Sequence, residues 1–415
     1  MLLLLVVITA IACSDNSEDD IPTPSRTHFD RVVFMYISGD NDLSGDAARD
    51  LEEARRGAKN MLSSDRLLAF VDNMSYARPY ILDISGGGGD TLRVFEKDFY
   101  ASNPDTLHSV LNYLTAKYPA DEYGLVLWGH CTGWIIERDT IATSVVASSS
   151  RRAYGYDSRG GSSTSALARW MNITQMARAL KGLPRLRFIM ADCCCMLCVE
   201  SAYELRHAAD YLIGSPAEIP AQGAPYDKLV PALFSRRDSF FRDMVDVYYD
   251  HYYALYQEPQ VANNGTTSYL KGHSVPLAVV DMQHIEALAE ATRNVLLPRG
   301  QYNVDGLTYY YHLILPVMYD MGNIMARNLS HDAYTAWREV LDKAVPYRRN
   351  STSWMTSYNR LQRNMQAGVF EPNDSAYAGL SMFVPLNIYD TPSCDYNEKI
   401  RNMQWFNAVG WADIY

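Results

Sequence analysis

Four cysteines lie close together in the segment FIMADCCCMLCVE, which covers residues 188–200 of the 415-residue chain. Cys193, Cys194 and Cys195 are consecutive, and Cys198 follows three positions later. Cysteines this close together have four possible roles: binding a metal ion, forming a redox couple, packing as small apolar side chains, or providing one nucleophile. Each role requires different residues elsewhere in the chain, and the presence or absence of those residues distinguishes the four roles.

The partners that a metal or redox site needs are scarce. A structural zinc ion is bound by four ligands, usually in two separated pairs, whereas Cys195 and Cys198 form the only CxxC and no HxxxH occurs. A redox couple favours a helix N-terminus, which these two thiols could occupy, but the adjacent thiols would exchange with it. Free cysteine also packs as a small apolar residue. Zinc and redox chemistry are therefore disfavoured, and a structural role stays open for three of the four thiols.

A nucleophilic thiol needs a base, and one histidine is suitably placed. His130 ends the apolar run YGLVLWGH (123–130), as Cys194 follows the run LRFIMAD (186–192). Both runs predict buried strands, and the carboxyl ends of parallel strands share one edge of a sheet. Imidazole and a helix N-terminus favour the thiolate, and a helix is expected to start near Met196. The sequence therefore favours Cys194 as a nucleophile with His130 as its base.

The order of apolar and amphipathic stretches predicts the fold that brings these groups together. Short apolar runs rich in β-branched or aromatic residues alternate with helical patterns between residues 31 and 216. Such alternation is typical of an α/β fold with a mostly parallel sheet and helices on both faces. Asp40, Asp72 and Ser215 end other strand-like runs and are expected at the edge that carries the thiol and the imidazole. The predicted helices cover residues 46–62, 103–118, 172–183 and 196–210.

Residues 1–13 have the composition of an export signal. Leu2 to Ala12 form an apolar stretch that is too short to span a bilayer and fits the h-region of a signal peptide. The stretch ends in Ala-Ile-Ala-Cys, which resembles a loose bacterial lipobox in which Cys13 is lipidated and anchors the chain to the membrane. Residues 14–27 are acidic and typical of a flexible linker. We expect an outer-membrane lipoprotein of a bacterial cell envelope, exposed at the cell surface; the alternative is a cytosolic protein with an apolar start.

Length and composition predict a globular chain of one large or two fused domains. We expect a core over residues 28–230 and a C-terminal accessory α+β region over 231–415 that packs on it. Residues 138–170 form an insertion rich in Ser, Gly and Arg, which predicts a mobile, protease-sensitive loop. The formal net charge of −11 argues against nucleic acid as the main partner. It leaves cationic peptides as candidate substrates.

Two segments near the imidazole and the thiol resemble the motifs of the clostripain family of cysteine peptidases, which share the caspase-like fold. The family has W-N-H-G-x-G-W after an apolar strand, and residues 128–134 read WGHCTGW. Its second motif, D-A-C-L-M followed by an acidic residue, is similar to DCCCM at 192–196 with Glu200. This alignment selects Cys194 within the triplet. Residues 211–229, YLIGSPAEIPAQGAPYDKL, also resemble the family's serine-plus-acidic segment.

The resemblance implies a three-layer α/β/α caspase-like sandwich and an endopeptidase that cuts after basic residues, Arg more readily than Lys. It makes Cys194 the nucleophile, His130 the group that protonates the leaving amine, and the N–H groups of Cys131 and Cys194 the oxyanion hole. Asp192 and Ser215 would line the S1 pocket, where Asp192 would pair with a guanidinium group. The alternative for Asp192 is that it caps the following helix.

The resemblance also bears on processing and on cofactors. Members of the family often cut themselves between the histidine and the cysteine, and Arg151, Arg152 and Arg159 lie in that interval within the predicted loop. A cysteine–histidine dyad requires no cofactor. Some relatives depend on calcium, whereas this chain has no EF-hand-like loop. The sequence therefore predicts no metal ligands and leaves calcium as an open requirement.

The chain departs from the family pattern at several motif positions. Cys131 replaces a glycine, Gly129 replaces an asparagine, and residues 215–217 differ from the usual Ser-Glu pairing. Cys193 and Cys195 stand where the family has Ala and Leu. A side chain at position 131 lies where the substrate carbonyl would approach, although the N–H can still point inward at negative φ. Two alternatives therefore stay open: a catalytically weak or inactive surface-binding protein of the same fold, and a thiol metal or redox protein.

Overall fold

The structure is a computed structural model, and it describes residues 28–75, 78–136, 153–158, 168–261, 267–307, 309–312, 315–351, 354, 375–391 and 395–414. Several predicted features lie outside the described residues. They are the signal and lipobox with Cys13, the acidic linker 14–27, and Arg151, Arg152 and Arg159 of the insertion.

A central nine-stranded sheet organises the described residues. Its strands follow the order β15-β12-β9-β8-β5-β1-β2-β3-β4. The five strands from β9 to β2 are mutually parallel, and antiparallel pairs extend the sheet on both sides. In chain order the strands are β1 (Phe29–Gly39), β2 (Asp65–Asn73), β3 (Tyr80–Asp83), β4 (Asp90–Val94), β5 (Ala120–Trp128), β6 (Tyr154–Asp157), β7 (Arg169–Met171), β8 (Leu186–Asp192), β9 (Ala209–Gly214), β10 (Gln260–Val261), β11 (Thr267–Ser268), β12 (Leu277–Asp281), β13 (Tyr309–His312), β14 (Pro316–Asp320), β15 (Tyr347–Arg349) and β16 (Ser381–Met382).

Helices cover both faces of this sheet. Alternate residues of each buried strand point to opposite faces, so that Val33 and Met35 pack in one core cluster and Phe34 and Tyr36 in the other. The first cluster includes residues of α1, α5 and α6, and the second includes residues of α2, α3 and α4. The predicted three-layer α/β/α sandwich is therefore confirmed. The helices are α1 (Ser44–Gly57), α2 (Pro104–Lys117), α3 (Ile173–Leu180), α4 (Val199–Leu205), α5 (Tyr226–Leu233), α6 (Phe240–Leu255), α7 (Ile285–Arg293), α8 (Met321–Asn328), α9 (His331–Ala344), α10 (Tyr396–Lys399), α11 (Gln404–Ala408) and α12 (Trp411–Ile414).

Capping residues fix where two helices of the second face begin. The Asn103 side chain accepts a hydrogen bond from the N–H of Asp105 at 2.9 Å, and Pro104 occupies the first turn of α2. Asn172 and Gln175 form a capping box at the start of α3. These contacts satisfy backbone donors that have no partner within a helix. Both helix starts agree with the sequence prediction.

The C-terminal region takes part in the central sheet. Residue 230, the predicted boundary, lies within α5, and residues beyond it supply β12 and β15 of the nine-stranded sheet. Another part of this region forms a separate sheet in the order β13-β14-β16. The C-terminal region therefore completes the core as well as packing on it. Among the described residues, no helix has the length and apolar character needed to cross a bilayer.

Candidate active site

The register of two neighbouring strands places the predicted nucleophile and base at one edge of the sheet. In the parallel pair β5 and β8, Trp128 lies opposite Asp192. His130 and Cys194 each follow two residues later, beyond the ends of these strands. The N–H of Gly129 extends the contact by donating to the Asp192 carbonyl at 3.4 Å. The segments that follow β5 and β8 therefore start next to each other. One carries the imidazole of His130, and the other carries the thiol of Cys194.

His130 is held by contacts on both its ring and its backbone. Its Nε2 lies 2.9 Å from an Asp42 carboxylate oxygen, and its ring centroid lies 5.8 Å from that of Tyr156. Its carbonyl accepts a hydrogen bond from the N–H of Gly155 at 2.8 Å. Asp42 therefore orients the ring, because a hydrogen bond at one ring nitrogen fixes the position of the imidazole.

Cys194 differs from its neighbouring thiols in exposure. Cys193, Cys195 and Cys198 are buried, whereas Cys194 is partly exposed. Burial raises the pKa of the Cys193, Cys195 and Cys198 thiols, which makes them poor nucleophiles. The Cys194 sulfur accepts a hydrogen bond from the N–H of Ile219 at 3.4 Å. Exposure therefore singles out the middle thiol of the triplet, as the sequence alignment does.

The helix that was expected to start near Met196 begins later. Cys195 adopts a φ of +57°, and α4 begins at Val199. A left-handed residue interrupts a helix, so the predicted helix start is wrong. The N–H of Cys195 donates instead to the Ala217 carbonyl at 2.8 Å. The segment after the nucleophile therefore runs along the loop that follows β9, and the N-terminus of α4 lies five residues past Cys194.

Asp192 is a buried carboxyl group with three donors from its own chain. It accepts hydrogen bonds from the Ala224 N–H at 3.0 Å, the Tyr226 hydroxyl at 2.7 Å and the Tyr248 hydroxyl at 2.8 Å. Only 2 % of its surface is exposed, and burial raises its pKa. The alternative in which it caps the following helix is wrong, because Cys198 precedes α4. Asp192 therefore holds in place the loop whose Ile219 N–H contacts the Cys194 sulfur.

A second buried carboxyl group lies beside Asp192. Asp50, on α1, accepts a hydrogen bond from the Trp128 indole at 2.8 Å. Burial, and next the charge of Asp192, raise the pKa of Asp50 to about 8. Gly223 packs between the two, since a Cβ there would lie 2.7 Å from an Asp50 oxygen and 2.8 Å from an Asp192 oxygen. Its φ of +65° also favours glycine. The sheet edge before the nucleophile is therefore a buried acidic site.

Ser215 lies at the end of β9, as expected for the third strand of this edge. Its side chain is buried and its Oγ accepts a hydrogen bond from the N–H of Ala217 at 3.1 Å. Its carbonyl accepts from the N–H of Leu197 at 3.0 Å. Ser215 therefore stabilises the turn between β9 and the loop that contacts the nucleophile.

Three carboxyl groups at the other end of the same edge could hold a metal ion. Oxygen atoms of Asp40, Asp72 and Asp98 all lie within 4.8 Å of one another. Asp157 is close, because the N–H of Ala101 donates to Asp72 at 3.2 Å and to Asp157 at 2.9 Å. Among the described residues this is the only such group, and it contains none of the thiols.

The C-terminal region contacts the segments that follow His130 and Cys194. The buried Glu200 of α4 accepts a hydrogen bond from the N–H of Phe383 at 2.7 Å, and burial raises its pKa to about 8. The ring of Phe383 packs against Trp134, with centroids 4.8 Å apart. Trp134 follows the histidine and α4 follows the cysteine. Residues near 383 therefore connect the two segments from one side.

Sequence reasoning missed Asp42, Asp50 and Ile219. Asp42 lies two positions past Asp40, which ends a strand-like run, so the same edge argument could have found it. Asp50 lies on the buried face of α1 with Ala47, at helical spacing, and an acid on an apolar face is a usable signal. Ile219 acts through its backbone N–H, for which the sequence has no signal.

The fold and the placement of these residues are those expected of a cysteine peptidase with a caspase-like fold. The sequence model of the clostripain family, described as Peptidase_C11, matches residues 35–367. The chain therefore belongs to the clostripain family of cysteine peptidases. A search among curated protein sequences found no match.

Solved structures agree with this family. The chain is similar to a secreted C11 cysteine protease from Bacteroides thetaiotaomicron, solved with an irreversible peptide inhibitor, at 26 % identity and a TM-score of 0.73 over 93 % of this chain and 100 % of that one. It is similar to an inactive zymogen C11 protease from Parabacteroides distasonis at 26 % identity and a TM-score of 0.69, over 91 % and 97 % of the two chains. A third structure, a secreted C11 cysteine protease from B. thetaiotaomicron called iotapain, shares the fold at 19 % identity and a TM-score of 0.70, over 92 % and 99 %.

Proposed function

We propose that this chain is an exported endopeptidase that cuts after Arg, and less readily after Lys, through a Cys194–His130 dyad. The observation that carries the proposal is the paired register of β5 and β8, which brings the two residues to one sheet edge from adjacent strands. Cys194 is also the partly exposed thiol of the triplet, beside two buried ones. A buried thiol with a raised pKa could not supply a thiolate at neutral pH.

The proposed mechanism uses the dyad for nucleophilic attack and proton transfer. The Cys194 thiolate attacks the scissile carbonyl, and the N–H groups of Cys194 and Cys131 stabilise the oxyanion. His130 gives its proton to the leaving amine as the acyl-enzyme forms. It then takes a proton from the water that releases the acid product and the free thiol. Asp42 orients the imidazole throughout, at 2.9 Å from Nε2.

The proposed preference for basic residues depends on the acidic site before the nucleophile. Asp192 and Ser215 are proposed to line the S1 pocket, with Asp192 as the partner of the substrate cation. Asp50 lies on the other side of Gly223 and adds a second carboxyl group. An arginine side chain binds carboxylates through two parallel hydrogen bonds, which a lysine cannot form. On this chemistry we propose a preference for Arg above Lys.

Peptide substrates that differ at one position test this function. We expect hydrolysis of fluorogenic peptides with Arg at P1, slower hydrolysis with Lys, and none above background with Asp. An arginyl acyloxymethylketone should label the protein covalently on Cys194. Peptide mapping would identify the labelled residue. A variant with His130→Ala serves as the control. Absence of both turnover and labelling would favour the inactive surface-binding protein, and a preference for Asp would contradict the proposed S1 pocket.

Processing and export are proposed as parts of the same function. Arg151, Arg152 and Arg159 supply basic sites for a cut between His130 and Cys194 within the chain. The similarity to a structure described as an inactive zymogen supports activation by such a cut. A similar structure described as a secreted protease supports export. We place this chain at the outer membrane of a bacterial cell envelope through lipidated Cys13, with peptides or proteins in the surroundings as substrates.

We propose that a calcium ion binds to the aspartate group beside the carboxyl ends of β1 and β2. Asp40, Asp72 and Asp98 would hold it, because calcium prefers several carboxylate oxygens and their oxygens lie within 4.8 Å of one another. Burial, followed by the charge of Asp157, raises the pKa of Asp72 to about 9. A divalent cation would neutralise this repulsion and lower that pKa. When bound, it would supply positive charge that holds the ends of the two strands together, outside the dyad.

Thermal unfolding tests the calcium proposal without an activity assay. We expect millimolar Ca²⁺ to raise the Tm of the metal-free protein by several degrees, since a ligand at about 100 times its Kd adds about 2.7 kcal/mol of stability. The Asp72→Asn variant should lose most of this rise. An unchanged Tm in the wild type, or an equal rise in the variant, would contradict the assignment.

A further inference from the structure

Two departures from the family motifs are cysteines that meet in the structure. Cys131 stands where the family motif has glycine, directly after His130, and Cys193 stands where it has alanine, directly before Cys194. Neither thiol has a part in the proposed mechanism. Each flanks one member of the dyad, and both substitutions introduce the same reactive group.

The geometry of the sheet edge brings these two side chains together. Their segments leave the adjacent strands β5 and β8, whose last residues Trp128 and Asp192 lie opposite each other. Both side chains pack in the same core cluster. The Cys131 side chain is a close neighbour of the Cys193 thiol, because after burial it contributes most to the raised pKa of Cys193. Both are free thiols, at 5 % and 0 % exposure.

We propose that Cys131 and Cys193 form a reversible disulfide that lowers peptidase activity when it closes. The two segments leave adjacent parallel strands, so we expect the bond to need a local approach and no change of fold. This inference rests on the proposed peptidase activity and export: an exported protein meets oxidising conditions, in which disulfides form and persist. The family residues, glycine and alanine, could not form this bond.

The chemistry is thiol–disulfide exchange with a small-molecule disulfide such as oxidised glutathione. The thiolate of Cys131, the more exposed of the two, attacks one sulfur of the oxidant and releases one thiol. Cys193 then loses its proton and attacks the Cys131 sulfur of the mixed disulfide, which releases the second thiol. The protein loses two electrons and two protons, and the oxidant gains both. Burial raises the pKa of Cys193, which makes the second step slow at neutral pH and faster as the pH rises.

Closure would misplace the dyad because the bond is short. A disulfide joins two sulfurs at about 2 Å, well inside the contact distance of two sulfur atoms that are not bonded. The approach pulls on the residue after His130 and on the residue before Cys194. It also moves the Cys131 N–H that is proposed to stabilise the oxyanion. A shift of about 1 Å in such a site can cost about 100-fold in rate, so we expect at least a tenfold loss of kcat/KM.

Peptide mapping tests bond formation independently of peptidase activity. A full-chain Cys194→Ala variant is incubated with oxidised glutathione at mildly alkaline pH, quenched by alkylation and digested without reductant. We expect a linked pair of peptides that contain Cys131 and Cys193, which separates on reduction. The matched control, Cys194→Ala with Cys193→Ala, should lack this pair. Absence of the pair, or preferred linkage of Cys193 to Cys195, would overturn the proposal.

An activity measurement tests the consequence of closure. A reversible peptide aldehyde covers Cys194 during oxidation, and both inhibitor and oxidant are removed before the assay. We expect wild type to lose at least tenfold in kcat/KM and to recover with dithiothreitol, whereas Cys193→Ala keeps its activity. If mapping shows that the disulfide has formed in the wild type and the enzyme is still fully active, the regulatory role is overturned. Failure of the proposed P1 preference would leave both readouts intact, because any substrate that is cleaved serves the assay.

Discussion

Replacing Cys194 with alanine is expected to reduce kcat/KM for arginyl peptides by at least about 1,000-fold, because loss of a covalent nucleophile removes the whole reaction path. Cys194 is the partly exposed thiol of the triplet. Its sulfur lies against the loop after β9, where it accepts the Ile219 N–H at 3.4 Å. Steady-state hydrolysis of a fluorogenic substrate measures the effect, and unchanged thermal unfolding shows that the variant is folded.

The neighbouring thiols provide matched controls for this prediction. Cys193→Ala and Cys195→Ala each remove one buried sulfur, and we expect kcat/KM to stay within about tenfold of wild type. Alanine at position 195 should adopt the left-handed conformation at an energetic cost similar to that of cysteine, since both residues have a Cβ. Retained cleavage in Cys194→Ala, together with its loss in either control, would show that the nucleophile has been assigned to the wrong position in the triplet.

Much of this site could be predicted because it depends on strand order and strand ends. Apolar runs fixed the strands, and parallel pairing placed their carboxyl ends at one edge. His130 and Cys194 could therefore be placed on one edge from the sequence alone. The helix starts at Asn103 and Asn172 were equally accessible, because side-chain capping is a local interaction.

What could not be predicted depends on contacts between distant residues. The start of α4 is delayed because the Cys195 N–H bonds to the Ala217 carbonyl and its φ turns positive, and neither effect is local. The partners of Asp192 come from the loop at Ala224, from Tyr226 of α5 and from Tyr248 of α6, which is 56 residues away in sequence. A carboxyl group in the sequence carries no mark of its burial, so its raised pKa appears only in the folded chain.

The Asp192→Asn substitution is expected to lower kcat/KM for arginyl peptides by about 100-fold, because removing one charge of a buried ion pair costs about 2–5 kcal/mol. The amide can keep the local fold. Its oxygen can accept from the Ala224 N–H and the Tyr226 hydroxyl, and its NH₂ can donate to the Tyr248 hydroxyl. Asp192→Ala leaves all three donors buried without an acceptor, so we expect that variant to unfold at a clearly lower temperature.

The pH dependence separates a role in substrate binding from a role in positioning the loop. Burial raises the pKa of Asp192, so the carboxyl is protonated at low pH and ionises only as the pH rises. A substrate cation binds the ionised form, and the ratio of kcat/KM for arginyl over uncharged peptides should therefore rise with pH in the wild type. Taking this ratio cancels the ionisation of Cys194, which affects both substrates. In Asp192→Asn the ratio should be low, with only the smaller rise that ionisation of Asp50 contributes. A folded Asn variant with a wild-type ratio would make Asp192 a positioning residue and move the S1 cation partner elsewhere, with Asp50 as the next carboxyl to replace.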